Sequence, residues 1–499
     1  MIELRDYQLS SIAELARCWR ERPLLVAPCG SGKTTIACEV IRRAVAKGGT
    51  CGFLVHRIEL LDQATERLAQ FGIEAGQVIA GRREKASPVQ VASIQTLARR
   101  ELPPLKVVIV DEAHHAVSKS WKRVLDHYAA SGAAIVGMTA TPFRLDGKGL
   151  GAVFGKIVVA ASADDLVARE LLVEPTIYAP EPPDLSGIRT VGGDYDAEQL
   201  EERLSQEGIV GKIVEHWTQL AAGKQTICYA TTVRHSEYIC QMFREYGVAA
   251  EHVDGTTPRL QRHLAQARLR AREVSILSNC QVYTEGVDLP SLECAIIARP
   301  TKSLCLWIQM QGRVMRACDG KEGALILDHA GNVRRLGLVT DPLEYDLHDK
   351  VKRKGAGAPP QCPTCFVVLK GGEDECPECG ADLRPEPDAG PTEHVERAVR
   401  HRDGKLVKFE RKDQIARYTE LIDEAWRRGY KLGWARVRFK EERGAWPRGM
   451  RAIEEKQYPC ADHAPEVVVY GVRQVTRCGR CMTELAPVPA RELEEGWME

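Results

Sequence analysis

The stretch APCGSGKTT, residues 27–35, decides the fold because it joins a strand to a helix. The run PLLVAP before it indicates a short strand, and KTTIACEVIRRAVAKGG indicates a helix that ends near Gly48 and Gly49. In such a loop, backbone N–H groups at the helix N-terminus surround phosphate oxygens, the Lys33 ammonium reaches the β and γ phosphates, and the Thr34 hydroxyl binds Mg²⁺. The residues predicted to contact a nucleotide are Pro28, Cys29, Gly30, Ser31, Gly32, Lys33, Thr34 and Thr35.

One position departs from the strict phosphate-loop pattern. The pattern has glycine where this chain has Ala27. Alanine fits there if its φ stays negative, so we expect the loop to bind phosphate as the pattern predicts.

Length and composition describe a globular chain of about three domains. Hydrophobic residues make up 44% and charged residues 28%, and the formal net charge is zero, so a nucleic-acid surface must be a local concentration of Lys and Arg. No apolar run approaches the roughly 20 residues that cross a bilayer, and MIELRDYQLSS lacks the apolar core of a secretion signal. The 17 cysteines therefore predict reduced thiols and metal ligands in a cytoplasmic protein without membrane contact.

Two series of strands that alternate with helices follow one another along the chain. The strands of the first series are PLLVAP, TCGFLVH, VQVASIQ, KVVIVDE and AAIVGMTA, and those of the second are QTICYAT, AAEHVD, VSILSN, LECAIIAR and GALILDH. This alternation is typical of parallel sheets covered by helices, so the fold class is α/β. We predict a first lobe at residues 1–178, a connector rich in Pro and Gly at 179–200, and a second lobe at 201–345.

The acidic pair in DEAHH, residues 111–115, follows the apolar strand KVVIV. The carboxyl end of a parallel strand is where such a sheet presents its ligands. Asp111 can hold Mg²⁺ there, and Glu112 can orient and deprotonate an attacking water. A solvated strand end is the alternative, which the phosphate loop upstream disfavours. We expect His114 to bridge to polar neighbours and His115 to be an ordinary hydrogen-bonded histidine.

The stretch QMQGRVMR, residues 309–316, places Arg313 and Arg316 on one face of a helix. Phosphoryl transfer spreads negative charge over phosphate oxygens, and arginine fingers can neutralise it. Because these arginines belong to the second lobe, they reach the phosphate only when the lobes close, so hydrolysis is expected to open and close a cleft. We also assign Gln309 to the nucleotide site. The alternative is a surface arginine pair on a solvated helix.

The order of these motifs resembles that of superfamily 2 helicases. The segments that carry the resemblance are RDYQ, APCGSGKTT, VHRIELLDQ, DEAHH, TATPFR, VYTEGVDLP and QMQGRVMR. The stretches TATPFRLDGKGL, RPTKSLCLWIQMQGR and LILDHAGN, with the cysteine pairs that follow, are most similar to RadD-type bacterial DNA repair helicases and their phage relatives. The resemblance implies two tandem RecA-like lobes with ATP in the cleft between them and a nucleic-acid strand across the top of both.

The resemblance also implies roles for individual residues. Gln8, with Arg5 nearby, would bind the adenine, whose donor and acceptor match a side-chain amide. Gly286 and Asp288 would contact the nucleotide from the second lobe. The residues that would couple hydrolysis to strand contact are His114, Thr139 and Thr141. The residues that would contact strand phosphates are His56, Arg57, Gln95, Thr96 and Thr231, although each of them could instead cap a local turn.

Two Cys-x-x-Cys pairs after the second lobe predict a zinc site. CPTC at 362–365 and CPEC at 376–379 are joined by FVVLKGGEDE. Four thiolates in a tetrahedron favour Zn²⁺, and with no open coordination position the metal is expected to be structural. The predicted ligands are Cys362, Cys365, Cys376 and Cys379, in a zinc ribbon at 356–385.

A second zinc-binding module is predicted at 455–499. Its ligands would be Cys460, His463, Cys478 and Cys481, and EVVVYGVRQVTR between them fits a small hairpin. Both modules are too small to fold by hydrophobic burial alone, so metal is expected to hold each together.

Residues 391–451 form a basic segment that we predict to be helical. It contains 17 Lys or Arg against 10 Asp or Glu, and its aromatic residues are Tyr418, Trp426, Tyr430, Trp434, Phe439 and Trp446. Basic side chains neutralise phosphates while aromatic rings stack on bases, which fits an accessory nucleic-acid surface. The near-helical spacing of several of these rings fits the core of a small helical unit equally well.

These features predict an ATP-dependent helicase or translocase that acts on nucleic acid, with Mg²⁺ at the cleft and two structural Zn²⁺ ions. The preference for DNA, in repair, recombination or phage replication, rests on the resemblance, and repair or replication proteins are the partners it suggests. Two other classes remain open. One is a translocase on duplex or branched DNA that does not separate strands, and the other is a non-enzymatic zinc-ribbon DNA-binding adaptor whose lobes only clamp.

Overall fold

The computed structural model describes residues 3–81, 85–144, 149–206, 209–284, 289–321, 323–348, 352–353, 357–384, 411–427, 438–439, 465–470 and 473–478. The chain divides into two compact units: residues 1–244 with 248–383, and residues 384–499 with 245–247. Within the described part of the chain, no helix has both the length and the apolar character needed to span a membrane.

The first lobe is built on a seven-stranded parallel sheet in the order β3-β4-β2-β5-β6-β1-β7. Its strands are β1 (Pro23–Val26), β2 (Cys51–Val55), β3 (Gly76–Val78), β4 (Val89–Ser93), β5 (Val107–Val110), β6 (Ala134–Thr139) and β7 (Lys156–Val159). Its helices are α1 (Asp6–Cys18), α2 (Lys33–Ala46), α3 (Ile58–Gln70), α4 (Ile94–Leu97), α5 (Lys119–Ala130) and α6 (Ala163–Ala168), with short 3-10 helices at Trp19–Glu21 and Ala113–His115.

The central strands of this sheet are buried on both faces. All four residues of β1 are buried. Two adjacent residues of this strand, Leu24 and Leu25, belong to different hydrophobic cores. Successive side chains of a strand point to opposite faces, so a continuous apolar run requires helices on both sides. The short apolar runs of the sequence are therefore the strands of a three-layer α/β lobe.

The second lobe is built on a six-stranded parallel sheet in the order β12-β13-β11-β14-β15-β8. The strands of this part of the chain are β8 (Pro175–Tyr178), β9 (Thr190–Val191), β10 (Asp194–Tyr195), β11 (Thr226–Tyr229), β12 (Ala250–Val253), β13 (Ile276–Asn279), β14 (Cys294–Ile297), β15 (Ala324–Asp328), β16 (Leu343–Glu344) and β17 (Lys352–Arg353). Its helices are α7 (Ala197–Gln206), α8 (Ile209–Leu220), α9 (Val233–Glu245), α10 (Arg259–Arg270), α11 (Leu304–Val314) and α12 (Asn332–Leu336). The predicted fold class, two tandem parallel-sheet α/β lobes, is confirmed.

Two segments differ from the lobe boundaries predicted at residues 178 and 345. Strand β8 lies before residue 178 but pairs with β15 of the second sheet. After the second lobe, Tyr345 and Leu347 pack against the hydrophobic core of the first. The predicted connector also contains the hairpin of β9 and β10, in which Asp194 accepts hydrogen bonds from the residues at 301 and 302. The chain therefore enters the second lobe at β8, earlier than predicted, and has returned to the first lobe by Tyr345 and Leu347.

Residues 357–384 form a small ribbon that docks on the outer edge of the second sheet. The backbone N–H of Val368 donates to the carbonyl of Ile177 over 2.7 Å, and Ala179 donates to Phe366 over 3.0 Å. The Tyr178 hydroxyl donates to the Glu378 carboxylate over 2.9 Å. The ribbon is therefore joined to β8 by main-chain and side-chain hydrogen bonds.

The second unit contains α13 (Arg411–Arg427) and an antiparallel hairpin of β18 (Pro465–Tyr470) and β19 (Arg473–Cys478), which confirms the predicted hairpin. Tyr418 and Phe439 are buried and their rings meet edge to face, with centroids 5.1 Å apart. For these two aromatic residues the structure favours the core of a helical unit over an exposed stacking surface. The side chains of Trp426, Tyr430, Trp434 and Trp446 lie outside the described residues.

Replacing Trp307 with Ala is expected to destabilise the second lobe. Its ring is fully buried in the core of that lobe, and its Nε1–H donates to the carbonyl of Gly337 over 2.8 Å. Loss of a buried tryptophan leaves a cavity, so the free energy of unfolding should fall by about 3–5 kcal/mol. Urea denaturation followed by circular dichroism measures the change. Trp19→Ala is the control: this side chain is 40% exposed, and an equal loss there would contradict the assignment of Trp307 to the core.

Candidate nucleotide site between the two lobes

A cavity of about 510 Å³ lies between the lobes and is lined by residues of both. The predicted nucleotide and catalytic residues that line it are Arg5, Cys29, Gly30, Gly32, Lys33, Thr34, Thr35, Asp111, Glu112, Arg313 and Arg316. The predicted residues that are described but do not line it are Gln8, Pro28, Ser31 and Gln309. Gly286 and Asp288 lie outside the described residues. Three motifs that are far apart in sequence therefore meet at one cavity.

The phosphate loop has the backbone conformation that its glycines permit. Gly30 and Gly32 have φ values of 85° and 83°, which disfavour any residue with a Cβ, whereas Ala27 keeps a negative φ. The departure at Ala27 therefore leaves the loop intact. The Lys33 ammonium donates to the carbonyls of Ala27 and Pro28 over 3.0 and 3.1 Å. It sits at the start of α2, in the cavity wall.

The first turn of α1 contacts the phosphate loop directly. The Gln8 amide donates to the carbonyl of Ser31 over 3.2 Å, and its Oε1 accepts from the backbone N–H of Arg5 over 3.1 Å. Gln8 is only 4% exposed, whereas Arg5 lines the cavity. Tyr7, which was not predicted, donates its hydroxyl to the same Ser31 carbonyl over 2.5 Å. This end of α1 therefore positions the loop as well as the side chain of Arg5.

The acidic pair lines the same cavity as Lys33. Desolvation by the surrounding protein raises the pKa of Asp111 to about 7; the charge of Glu112 raises it too, while Lys33 opposes the shift. A cation bound beside this carboxyl would stabilise its ionised form, as expected for a ligand of Mg²⁺. Glu112 is 9% exposed and has a φ of 46°, unusual for a residue with a side chain. Such a conformation at a cavity wall is typical of functional residues.

Arg313 enters the cavity from the last turn of α11, whereas Arg316, predicted on the same helix face, lies in the segment just after the helix ends at Val314. Arg313 is 5% exposed and donates to the carbonyl of Thr284 over 2.9 Å, which fixes its guanidinium. A Cβ placed on Gly30 would lie 3.2 Å from Cγ of Arg316, and one on Gly312 would lie 2.6 Å from Cβ of Cys29. The helix and the phosphate loop are therefore in close contact, and the glycines make this approach possible.

A polar face of α3 also lines the cavity; of its residues the quoted motif VHRIELLDQ includes only Gln63, and the sequence analysis assigned none of them a role. Its residues are Gln63, Glu66, Arg67 and Gln70. The Arg67 guanidinium donates to the Thr35 hydroxyl over 2.8 Å. Their helical spacing, opposite the buried Leu61 and Leu68, is the signal that would have found them.

The predicted strand contacts all follow the carboxyl ends of parallel strands. His56 and Arg57 follow β2, Gln95 and Thr96 follow β4, and Thr231 follows β11. In a parallel sheet these ends share one edge, the same edge as the phosphate loop. In the first sheet the predicted strand contacts therefore lie on the side that also bears the phosphate loop and the acidic pair, and Thr231 lies at the carboxyl edge of the second sheet.

Several of these groups already make protein hydrogen bonds. Arg57 donates to the carbonyl of Val282 in the second lobe over 2.9 Å, and Gln95 donates to the His56 carbonyl over 2.8 Å. The Thr231 hydroxyl donates to the Ala298 carbonyl over 3.4 Å. Their role toward a nucleic-acid strand stays a prediction.

Three histidine rings lie in a row beside the acidic pair. The centroids of His56 and His115 are 4.3 Å apart, and those of His115 and His114 are 4.1 Å apart. His115, expected to be an ordinary histidine, thus links the loop after β2 to the loop after β5. The coupling residues Thr139 and Thr141 are fully buried next to this row.

The ribbon brings the first cysteine cluster together. The sulfur atoms of Cys362, Cys365, Cys376 and Cys379 all lie within 4.8 Å of one another. The pairs Cys362–Cys379 and Cys365–Cys376 are 3.6 and 3.7 Å apart. A tetrahedron with Zn–S bonds of about 2.3 Å has sulfur atoms about 3.8 Å apart, so the cluster fits one Zn²⁺. Of the second set, Cys460, His463, Cys481 and the Cys478 side chain lie outside the described residues.

Comparisons with known proteins agree with this geometry. Residues 1–144 match the family model "Type III restriction enzyme, res subunit", and residues 209–318 match "Helicase conserved C-terminal domain". A 51.5 kDa protein of a Lactococcus phage is 30% identical over 367 residues, covering 72% of this chain and 78% of its own.

Irc3 of Schizosaccharomyces pombe, named as a candidate mitochondrial ATP-dependent helicase, is 31% identical over 68% of this chain, which spans 59% of its length. The ATP-dependent Type ISP restriction-modification enzyme LlaBIII bound to DNA shares the fold with a TM-score of 0.50 and 19% identity, over 65% of this chain and 27% of its own.

The fold and the family matches define an ATPase built from two parallel-sheet lobes. Within that class, the chain belongs to the superfamily 2 ATP-dependent helicases. The narrower resemblance to RadD-type helicases stays a prediction.

Replacing Arg67 with Ala is expected to weaken ATP binding more than it slows hydrolysis. The change removes a cation from the cavity wall and the hydrogen bond to Thr35. It leaves intact every motif that is predicted to act on the γ-phosphate. We expect KM for ATP to rise about fivefold and kcat to change less than about twofold, since one charge-assisted hydrogen bond is lost. Steady-state ATPase kinetics measure both. Arg17→Ala, on the exposed side of α1, is the control, and a fall in kcat with an unchanged KM would be the contrary result.

Proposed function

We propose that the chain is a DNA helicase driven by ATP hydrolysis in the cleft between its lobes. The observation that carries this proposal is the single cavity lined by the phosphate loop, the acidic pair and the arginines of the second lobe. Because the first lobe supplies Lys33 and the second supplies Arg313 and Arg316, the charge of a bound nucleotide draws the lobes together. Hydrolysis and phosphate release then weaken that attraction and let the cleft open.

Each group of the cavity has a role in this scheme. Lys33 and Mg²⁺, held by Asp111 and the Thr34 hydroxyl, neutralise the β and γ phosphates. Glu112 accepts a proton from the attacking water. Arg313 and Arg316 stabilise the charge that develops on the transferred phosphoryl group.

The choice of DNA over RNA has two supports. One is the motif resemblance to DNA repair helicases, and the other is that a protein of the same fold was solved bound to DNA. The strand would cross the carboxyl edges of both sheets, near His56, Gln95 and Thr231. Roles in repair, recombination or phage replication, with partner proteins from those processes, follow from the same resemblance.

Lys33→Ala is expected to lose nearly all ATP turnover and to keep its fold. The lysine is the cation next to the β and γ phosphates, and removal of such a group costs about a hundredfold or more in rate. The ATPase rate should be measured with single-stranded DNA, duplex, forked DNA and RNA, for the parent and the variant. Equal rates in both would indicate a contaminating ATPase.

The same assay separates the alternatives. Stimulation by DNA with strand separation supports a helicase, and stimulation without separation identifies a duplex translocase. A parent that hydrolyses no ATP with any nucleic acid would be a DNA-binding adaptor, which would overturn the proposal.

We propose that the chain holds two structural zinc ions, one in the ribbon and one in the C-terminal module. Metal analysis after unfolding is expected to find close to two Zn²⁺ per chain, and Cys365→Ser should lower the content by one because that thiolate completes the ribbon tetrahedron. Cys318→Ser, outside both clusters, is the control. A total of one zinc in the parent would remove the C-terminal site.

A further inference from the structure

Helix α11 lies along the first lobe with one face. Cys305, Ile308 and Gly312 are spaced three or four residues apart, so they share that face, and Arg316 follows just after the helix ends at Val314. Their partners in the first lobe are, in the same order, Thr141, Phe143, Cys29 and Gly30. The end of the helix that bears the arginines faces the phosphate loop, and its beginning faces the segment after β6. Any shift of α11 therefore reaches both the phosphate loop and the segment after β6.

The contact at the beginning of α11 is polar and buried from solvent. The Thr141 hydroxyl and the Cys305 thiol are 3.0 Å apart. Thr141 is fully buried and Cys305 is 1% exposed. The surrounding apolar cluster includes Phe143 from the first lobe and Ile308 from the second. Because both groups are buried from solvent, each of them relies on the protein for its hydrogen bonds.

A chain of short contacts runs from Thr141 to the acidic pair. The backbone N–H of Thr141 donates to the Thr139 hydroxyl over 3.0 Å, and that hydroxyl donates to the Thr141 carbonyl over 3.0 Å. Nδ1 of His114 is 3.3 Å from the Thr139 hydroxyl and 3.5 Å from Oε2 of Glu112. Every residue in this chain of contacts is at least nine-tenths buried.

The Thr139 hydroxyl connects these contacts. It donates its proton to the Thr141 carbonyl and accepts from the Thr141 N–H. In the His114 tautomer that carries its proton on Nδ1, that N–H completes the hydrogen bonds of Thr139 Oγ1. The same Nδ1 lies 3.5 Å from Oε2 of Glu112, which is an electrostatic contact and not a hydrogen bond. The orientation of the catalytic carboxylate therefore depends on where the segment of Thr139 and Thr141 lies.

We propose that Cys305 is a positioning residue that couples the second lobe to the catalytic carboxylate. Its thiol fixes Thr141, Thr141 and Thr139 fix the His114 ring, and that ring orients Glu112 toward the attacking water. The helix that carries Arg313 into the cavity, with Arg316 just after its end, thus also sets the geometry of the base in the other lobe. The coupling of hydrolysis to lobe closure, which rests on the proposed function, then involves both ends of α11.

The test compares Cys305→Ala with Cys305→Ser. Alanine removes the polar contact to Thr141, so the DNA-stimulated kcat for ATP should fall about fivefold, as expected for one lost hydrogen bond in the transition state. KM for ATP should stay within about twofold, since no cavity-lining group changes. Serine keeps a hydrogen-bonding group at that position and should restore most of the rate. Thermal unfolding establishes that both variants are folded.

Two controls distinguish positioning from packing. Cys240→Ala, also fully buried but within the core of the second lobe, should leave kcat unchanged. Thr141→Val removes the other partner while keeping its shape, so the double variant with Cys305→Ala should be no slower than the slower single variant. The proposal is overturned if serine is no better than alanine, if the two single losses multiply, or if KM rises instead of kcat falling.

Failure of the proposed function gives a different result. If DNA does not stimulate the parent, the helicase proposal fails, and the variants are then compared by their basal ATPase rates. Basal kcat values that fall from the parent to Cys305→Ser and further to Cys305→Ala would still support a positioning role for Cys305. Equal basal rates in all three would overturn it.

Discussion

The structure depends on one electrostatic constraint: the cations around the nucleotide cavity come from both lobes. Lys33 stands on the first lobe, and Arg313 and Arg316 stand on the second. Positive groups brought this close repel each other, so their approach must be supported by contacts of another kind. Gly312 meets Cys29 at a distance that leaves no room for a Cβ, and apolar clusters flank that contact at both ends of α11. Packing between the lobes thus holds the charges where an anion can neutralise them.

Much of the fold and of the site could be predicted from the sequence because the signals are local. The strands are short apolar runs next to turn residues, and every strand named from the sequence exists. The phosphate loop, the acidic pair and the arginines are recognised by spacing alone, since each sits where a strand ends or on one face of a helix. The phosphate loop and the acidic pair meet because the carboxyl ends of parallel strands share an edge, whereas the arginines reach them through the packing of α11 against the phosphate loop.

The features that the sequence did not predict are contacts between distant segments. Strand β8 has few residues and no periodicity that assigns it to a sheet, and only its pairing with β15 places it in the second lobe. The return of Tyr345 and Leu347 to the first lobe is likewise decided by an apolar surface that the first lobe leaves open. Arg67 escaped notice because α3 looks like an ordinary amphipathic helix until the cavity is seen beside its polar face.

The ribbon has a consequence that goes beyond its own stability. Strand β8 is the last strand of the second sheet, and an unprotected edge strand offers N–H and C=O groups to any other extended chain. Val368 and Phe366 occupy these groups, and the four thiolates hold the segment in shape. Oxidation of the thiols would release the segment and expose the N–H and C=O groups of β8 at the edge of the sheet. The protein is therefore expected to self-associate under oxidising conditions while its nucleotide cavity is still intact, so that loss of solubility precedes loss of catalysis.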